Sequence, residues 1–156
     1  MRKVLFVCLG NICRSPMAEA IFREKLKAGN LEGQLAVASA ATSHWEVGSS
    51  PHRGTQKILK EHGISFSGIT ATQIQTQDFA EYHLLIGMDA QNVEDLKQLS
   101  PTETEEKIHL FMERVPGKET VDVPDPYYTG DFEETYRLVD QGTDAWLRYL
   151  SEGKNE

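Results

Sequence analysis

Cys8-Leu9-Gly10-Asn11-Ile12-Cys13-Arg14-Ser15 joins an apolar run, Lys3-Val4-Leu5-Phe6-Val7, to Pro16-Met17-Ala18-Glu19-Ala20-Ile21-Phe22. The run from Lys3 to Cys8 has no polar alternation, so it reads as a strand buried on both faces, the kind found in parallel sheets. After the octapeptide, apolar residues at 17, 18, 21, 22 and 26 mark one face of a helix. Pro16 fits the first turn of that helix, where its missing N–H costs nothing, and Gly29-Asn30 end it. Strand, tight turn, helix: this is the opening unit of an α/β domain.

The rest of the chain repeats the alternation. Leu35–Ala41 is a second strand candidate. A helix is predicted from about His52 to His62, opened by Ser50-Pro51 and closed by Gly63. Tyr82–Met88 reads as a third buried strand. Asp89 stands at the N-cap position ahead of Val93, Leu96 and Leu99. Lys107–Met112 is a weaker fourth strand. Phe132, Tyr136, Val139, Thr143, Trp146 and Leu150 fall in steps of three and four and define the last helix, with a stripe that can pack on a sheet. Together these predict a single α/β domain, residues 1–156, with a central four-stranded parallel sheet, helices on both faces and a phosphate-binding loop after the first strand. In such sheets ligands bind beyond the carboxyl ends of the strands at a topological switch point, and Cys8 ends the first strand.

The chain's 156 residues, 39% of them hydrophobic, suffice for one core. No apolar run approaches the roughly 20 residues of a membrane span. Val4–Val7 is too short for the about 7–15 residues of a signal-peptide core. A cytoplasmic location is expected, with no membrane partner. The two cysteines, Cys8 and Cys13, are no disulfide framework, and they lack further Cys or His at zinc-ligand spacing, so neither metal nor cofactor is expected. A net charge of −8 argues against nucleic acid as a partner. The exposed faces, and with them the oligomeric state, are not readable.

The octapeptide has the composition of an oxyanion site. A tight loop ahead of a helix turns consecutive N–H groups of Leu9 to Ser15 inward as a nest, and the helix N-terminus adds partial positive charge. Gly10 and Asn11 tolerate the left-handed backbone such a loop needs. Arg14 can present a planar fork to two phosphate oxygens, which lysine cannot do. Cys8 at the base of the nest is expected as a thiolate, with the Ser15 hydroxyl as a further donor. An inert buried cysteine is the alternative, and the surrounding loop argues against it. Taken as a bare spacing, Cys-x5-Arg is a weak motif.

Val7 to Ala20 as a whole resembles the signature of low-molecular-weight protein tyrosine phosphatases. The similarity extends to Ser39-Ala40-Ala41-Thr42-Ser43, to Trp45-Glu46-Val47-Gly48, to Asp78-Phe79-Ala80 with Met88-Asp89, and to Asp125-Pro126-Tyr127-Tyr128. The resemblance implies hydrolysis of phosphotyrosine in protein substrates through a phosphocysteine at Cys8. Arg14 and the amides of Leu9, Gly10, Asn11, Ile12, Cys13, Arg14 and Ser15 would bind phosphate. Asp125 would be the general acid and then the general base. By spacing alone Asp125-Pro126 is simply a turn; the matched motif gives it the acid role. Asn11, Ser15 and Ser39 are implied as supports of the loop, although Ser39 can equally be a small strand residue. Ile12, Trp45, Tyr127 and Tyr128 are implied as cleft walls, although a tryptophan is more often core. Cys13 is either a small packed residue or a redox partner that traps oxidised Cys8 as a disulfide. A histidine that supports the loop in some relatives aligns with Gly68 here.

Three rivals follow from the same residues. Arginine phosphatases of this family carry threonine where Ile12 stands, so Ile12 favours phosphotyrosine. Arsenate reductases relay oxidation to cysteines beyond the loop, which this sequence lacks. A phosphopeptide-binding module would need the loop and no acid. A nucleotide-binding P-loop is not supported, since no Gly-Lys-Ser/Thr follows.

Overall fold

The computed structural model describes residues 1–153; residues 154–156, the end of the predicted domain, lie outside the described residues. In chain order it has β1 (Arg2–Cys8), α1 (Arg14–Ala28), β2 (Leu35–Ala41), α2 (Arg53–Glu61), α3 (Asp78–Glu81), β3 (Leu84–Gly87), α4 (Ala90–Leu99), β4 (Ile108–Leu110), α5 (Pro126–Thr129) and α6 (Phe132–Gly153). Short 3₁₀ turns, Glu105–Lys107 and Phe111–Arg114, flank β4. The four strands form one sheet in the order β2-β1-β3-β4, and all pairs are parallel. The expected α/β architecture is the observed one.

β1 is central, and its alternation sorts the core. Val4, Phe6 and Cys8 face one layer, with Met17, Ile21 and Phe22 of α1, Leu59 of α2 and Val139, Trp146 and Leu150 of α6. Leu5 and Val7 face the other, with Leu85, Phe79 of α3 and Leu96 of α4. Because both faces are covered, no polar residue is tolerated along β1 after Lys3. The chain leaves β1 toward β2 on one side and β3 lies on the other, so the switch point opens at the carboxyl end of β1, after Cys8.

Element ends differ from the sequence expectation for local reasons. β3 begins at Leu84, because Tyr82 still closes α3 with its N–H on the Asp78 carbonyl. β4 stops at Leu110, because Phe111 and Met112 turn inward as a 3₁₀ segment and are fully buried. α2 is capped by His52 itself, whose side chain accepts the Gly54 N–H, with Ser50-Pro51 left outside the helix. Asp89 caps α4 as expected, in a reciprocal capping box with Asn92. α3 and α5, four residues each, were not anticipated. α6 docks tightly: the Trp146 indole donates to the Phe111 carbonyl at 2.7 Å. A Cβ on Gly142 would lie 2.0 Å from the Phe111 ring.

Candidate active site

The loop between β1 and α1 turns at Asn11, whose φ of 58° is left-handed. Gly10 does not share that conformation, which corrects the expectation that both residues supply it. Nor is Gly10 forced by packing, since a Cβ there would meet only ordinary contacts, the closest at 3.7 Å. Asn11 is 1% exposed, and its side chain is fully engaged. Its Nδ2 donates to Ser15 Oγ at 2.7 Å and to Ser39 Oγ at 2.9 Å. Its Oδ1 accepts the Thr72 N–H at 3.0 Å.

This engagement has a directional consequence. With both Nδ2 hydrogens used, Ser15 Oγ is an acceptor toward Asn11, and its own hydrogen is free for Cys8 Sγ, 2.9 Å away. The Asn11 N–H donates to the same sulfur at 3.3 Å. Cys8 Sγ therefore sits at the convergence of two hydrogen-bond donors. Ser39 passes its hydroxyl hydrogen on to Glu19 Oε1 at 2.6 Å. Glu19 was not singled out in the sequence; its place on α1, one helical turn inside the loop, was the available signal. Burial holds its carboxyl above the ordinary range, with Ser39 and Arg23 pulling the other way. Gly68 lies in open space at φ 80° and contributes no side chain. The Thr72 amide and Glu19 are the supports that Asn11 and Ser39 have here.

Arg14 opens α1, 2% exposed. Its Nη1 donates to Asp89 Oδ2 at 2.6 Å and to the Val123 carbonyl at 3.0 Å, and its Nη2 to Asp125 Oδ2 at 3.3 Å. Its Nε is a buried donor with no partner among the described residues. A buried unmatched N–H is costly, and an oxyanion over Cys8 would satisfy it. Burial works against the guanidinium charge, but Cys8, Asp89 and Asp125 outweigh it and raise Arg14 above its ordinary value. Asp89 thus has a second task beyond its cap, which the sequence reading did not include.

Asp125 is extended, as a residue before proline should be, and caps α5 by accepting the Tyr127 N–H at 3.1 Å. Its other oxygen faces Arg14. The cleft over the loop is about 150 Å³ and is lined by Cys8, Leu9, Gly10, Ile12, Cys13, Arg14, Trp45, Glu46, Asp125, Tyr127 and Tyr128. Trp45 (69% exposed), Tyr127 (58%) and Tyr128 (76%) stand at its rim, so Trp45 is no core residue. Glu46, within the matched segment Trp45-Glu46-Val47-Gly48, also lines the cleft beside Trp45. Ser15 and Ser39 lie behind the loop, outside the cleft. Cys8 and Cys13 are both free and buried. Burial, then Asp125 and Cys8, push the Cys13 thiol up to about 12. The arrangement offers a sulfur nucleophile, an oxyanion cradle and a carboxyl group in one concave site.

Known proteins are similar to this chain along nearly its whole length. The family described as "Low molecular weight phosphotyrosine protein phosphatase" matches residues 3–156. The low molecular weight protein-tyrosine-phosphatase YfkJ of Bacillus subtilis is 44% identical over 154 residues, 99% of each chain. PtpA of Staphylococcus saprophyticus, which carries the same description, is 43% identical over 99% of this chain and 97% of its own. The crystal structure of YfkJ superposes with a TM-score of 0.96 over 99% of this chain and 97% of that one. That of SP-PTP from Streptococcus pyogenes is 45% identical, with a TM-score of 0.86 over 96% and 93%. With the family match, the sequence identity and the fold in agreement, the chain belongs to the low-molecular-weight protein tyrosine phosphatase family.

Proposed function

We propose that residues 1–156 act as one cytoplasmic phosphatase domain that hydrolyses phosphotyrosine in proteins through a phosphocysteine at Cys8. The observation that carries this reading is the Nε of Arg14, without a partner among the described residues and buried at the same cleft as Cys8 and Asp125. In the first step Cys8 sulfur attacks phosphorus in line. The S–P bond forms, the P–O bond to the phenol breaks, and Asp125 gives its proton to the leaving oxygen. The loop amides within residues 9–15, apart from that of Asn11, which is turned to the sulfur, and the Arg14 fork hold the three equatorial oxygens. In the second step water attacks phosphorus, Asp125 takes a proton from it, and the thiolate leaves. The Ser15 hydroxyl stabilises that thiolate in both steps.

Trp45, Tyr127 and Tyr128 support an aromatic substrate. Their rings stand above the phosphate cradle, so a side chain must be long and flat to reach the floor. Ile12 supplies bulk and no hydroxyl at the rim, which supports phosphotyrosine over phosphoarginine.

The test is hydrolysis of a phosphotyrosine peptide by wild type, Cys8→Ser and Asp125→Ala. The serine variant should lose essentially all turnover. The alanine variant should lose roughly 10²–10⁴-fold in kcat, the usual contribution of a positioned acid, and most with poor leaving groups. Turnover by Cys8→Ser at a wild-type rate would sink the proposal. A phosphoarginine peptide in parallel tests the substrate class.

A further inference from the structure

His52 is a strange N-cap. A helix that needs only an acceptor takes Ser, Thr, Asp or Asn there, and histidine is not among the favoured types. The imidazole does more than cap α2. Its Nδ1 accepts the Gly54 N–H at 3.0 Å. Its backbone N–H donates to the Ile12 carbonyl at 2.7 Å, which ties it to the phosphate loop. Its ring stacks on Phe132, the first residue of α6, at 5.2 Å and 20°. The Tyr127 ring meets it edge to face, at 6.0 Å and 79°.

Gly54 completes the seat. A Cβ there would lie 2.3 Å from the Phe132 ring, so Phe132 can approach His52 only over a glycine. His52-Arg53-Gly54 therefore fits the arc 127–132, which carries the α5 wall of the cleft into α6. Tyr127, whose N–H is held by Asp125, is 58% exposed, and among the described residues its aromatic-ring partners are His52 and Tyr128, the latter more exposed still. Only His52 of these two is anchored to the phosphate loop.

We propose that His52 is a specificity-positioning residue: it fixes the Tyr127 ring at a set distance from the phosphate loop and so shapes the slot for the substrate's aromatic ring. This rests on the phosphotyrosine reading above. His52 touches no reacting atom; it acts through Tyr127. An edge-to-face ring contact is worth a few-fold to about tenfold in affinity, and that is the size of effect to look for.

Two variants separate the imidazole's tasks. His52→Asn keeps a side-chain acceptor for the Gly54 N–H and removes the ring. His52→Phe keeps the ring and removes the acceptor. Each is assayed on a phosphotyrosine peptide, and inorganic phosphate is measured as a competitive inhibitor. Inhibition by phosphate reads the loop and Arg14 without the aromatic slot. The expected result is a roughly 3- to 10-fold fall in kcat/KM for His52→Asn, carried mainly by KM, with phosphate inhibition within about twofold of wild type. His52→Phe, assayed where circular dichroism shows it folded, should retain more than about half of the wild-type kcat/KM. Wild-type kinetics in His52→Asn overturn the proposal. So does an equal loss in both variants, or a parallel weakening of phosphate inhibition, because either would mean that the cap or the loop was disturbed. If wild type itself fails to hydrolyse the peptide while still binding phosphate, the phosphotyrosine reading has failed instead.

Discussion

Asn11 sits at a left-handed φ of 58° with both amide hydrogens and its carbonyl oxygen engaged. Asparagine tolerates that backbone better than any other side-chain-bearing type except aspartate, and aspartate has no amide hydrogens to give. One residue thus meets a conformational and a hydrogen-bonding demand together. The two cysteines are separated at the same scale. Cys13, pushed up to about 12, stays protonated from neutral to mildly alkaline pH. Iodoacetamide at pH 7–8 should therefore label Cys8 in the native protein and spare Cys13, as read by peptide mass spectrometry. Mild peroxide tests the proposed trapping of a Cys8 sulfenic acid by Cys13; because the thiolate is the attacking form and Cys13 is pushed up to about 12, the Cys8–Cys13 bridge should form faster as pH is raised. Sulfonate on Cys8 with no bridge would refute the trapping role. Glu19 offers a pH test. Its folded carboxyl is raised by burial, so just above the ordinary Glu range the native state binds more protons than the unfolded chain. Stability attributable to Glu19 is then present at low pH and declines as pH rises through that window. Urea denaturation from pH 4 to 7 should show wild type losing ground to Glu19→Gln as pH rises; parallel curves would count against this.

At the scale of elements, Asp89 couples α4 to Arg14. One carboxylate oxygen caps the helix through the Asn92 N–H at 2.8 Å, and the other holds Arg14 Nη1 at 2.6 Å. Asp89→Asn should keep the cap and lose the charge. Asp89→Ala loses both. The alanine variant should be less stable than the asparagine one by about 1 kcal/mol, the ordinary worth of an N-cap. Both should bind inorganic phosphate more weakly than wild type, because Arg14 loses the partner that orients its fork. Denaturation and competitive inhibition measure the two effects separately. Equal stability of the two variants would remove the cap from the argument. α5 follows the same pattern: Asp125 caps the short helix that carries Tyr127 and Tyr128, so the carboxyl and the aromatic rim residues belong to one short element.

For the whole molecule, the net charge of −8 opposes the approach of anionic peptides beyond the reach of the cleft's own donors. Salt screens such repulsion with a length of about 8 Å at physiological ionic strength. Raising salt from 20 to 150 mM, roughly a threefold change in screening length, should therefore raise kcat/KM for an acidic phosphotyrosine peptide and lower it for a basic one. The same salt series on para-nitrophenyl phosphate provides the reference. Identical salt responses for the two peptides would mean that the protein's overall field plays no part in substrate approach.

The strand–loop–helix unit was legible because its residues are constrained locally. Val4 to Val7 are uniformly apolar where both sheet faces are covered. Pro16 sits where a missing N–H is harmless, and Asn11 and Arg14 have few substitutes for what they do. Asp89 and the α6 stripe were legible for the same reason, cap chemistry and helical period. The ends of β3 and β4 were not, since Tyr82 and Phe111 are apolar enough for a strand and leave it only because neighbouring elements claim them. Asp89 on Arg14, Glu19 behind Ser39 and His52 against Tyr127 were also out of reach. Each joins residues between 20 and 75 positions apart, through contacts that exist only once the sheet order β2-β1-β3-β4 has brought the strand ends to one crevice. Sequence by itself determined the chemistry at the end of β1, because backbone geometry and functional-group type are properties of neighbours along the chain. Tertiary structure alone decided which distant side chains orient that chemistry, because orientation depends on where the folded chain returns.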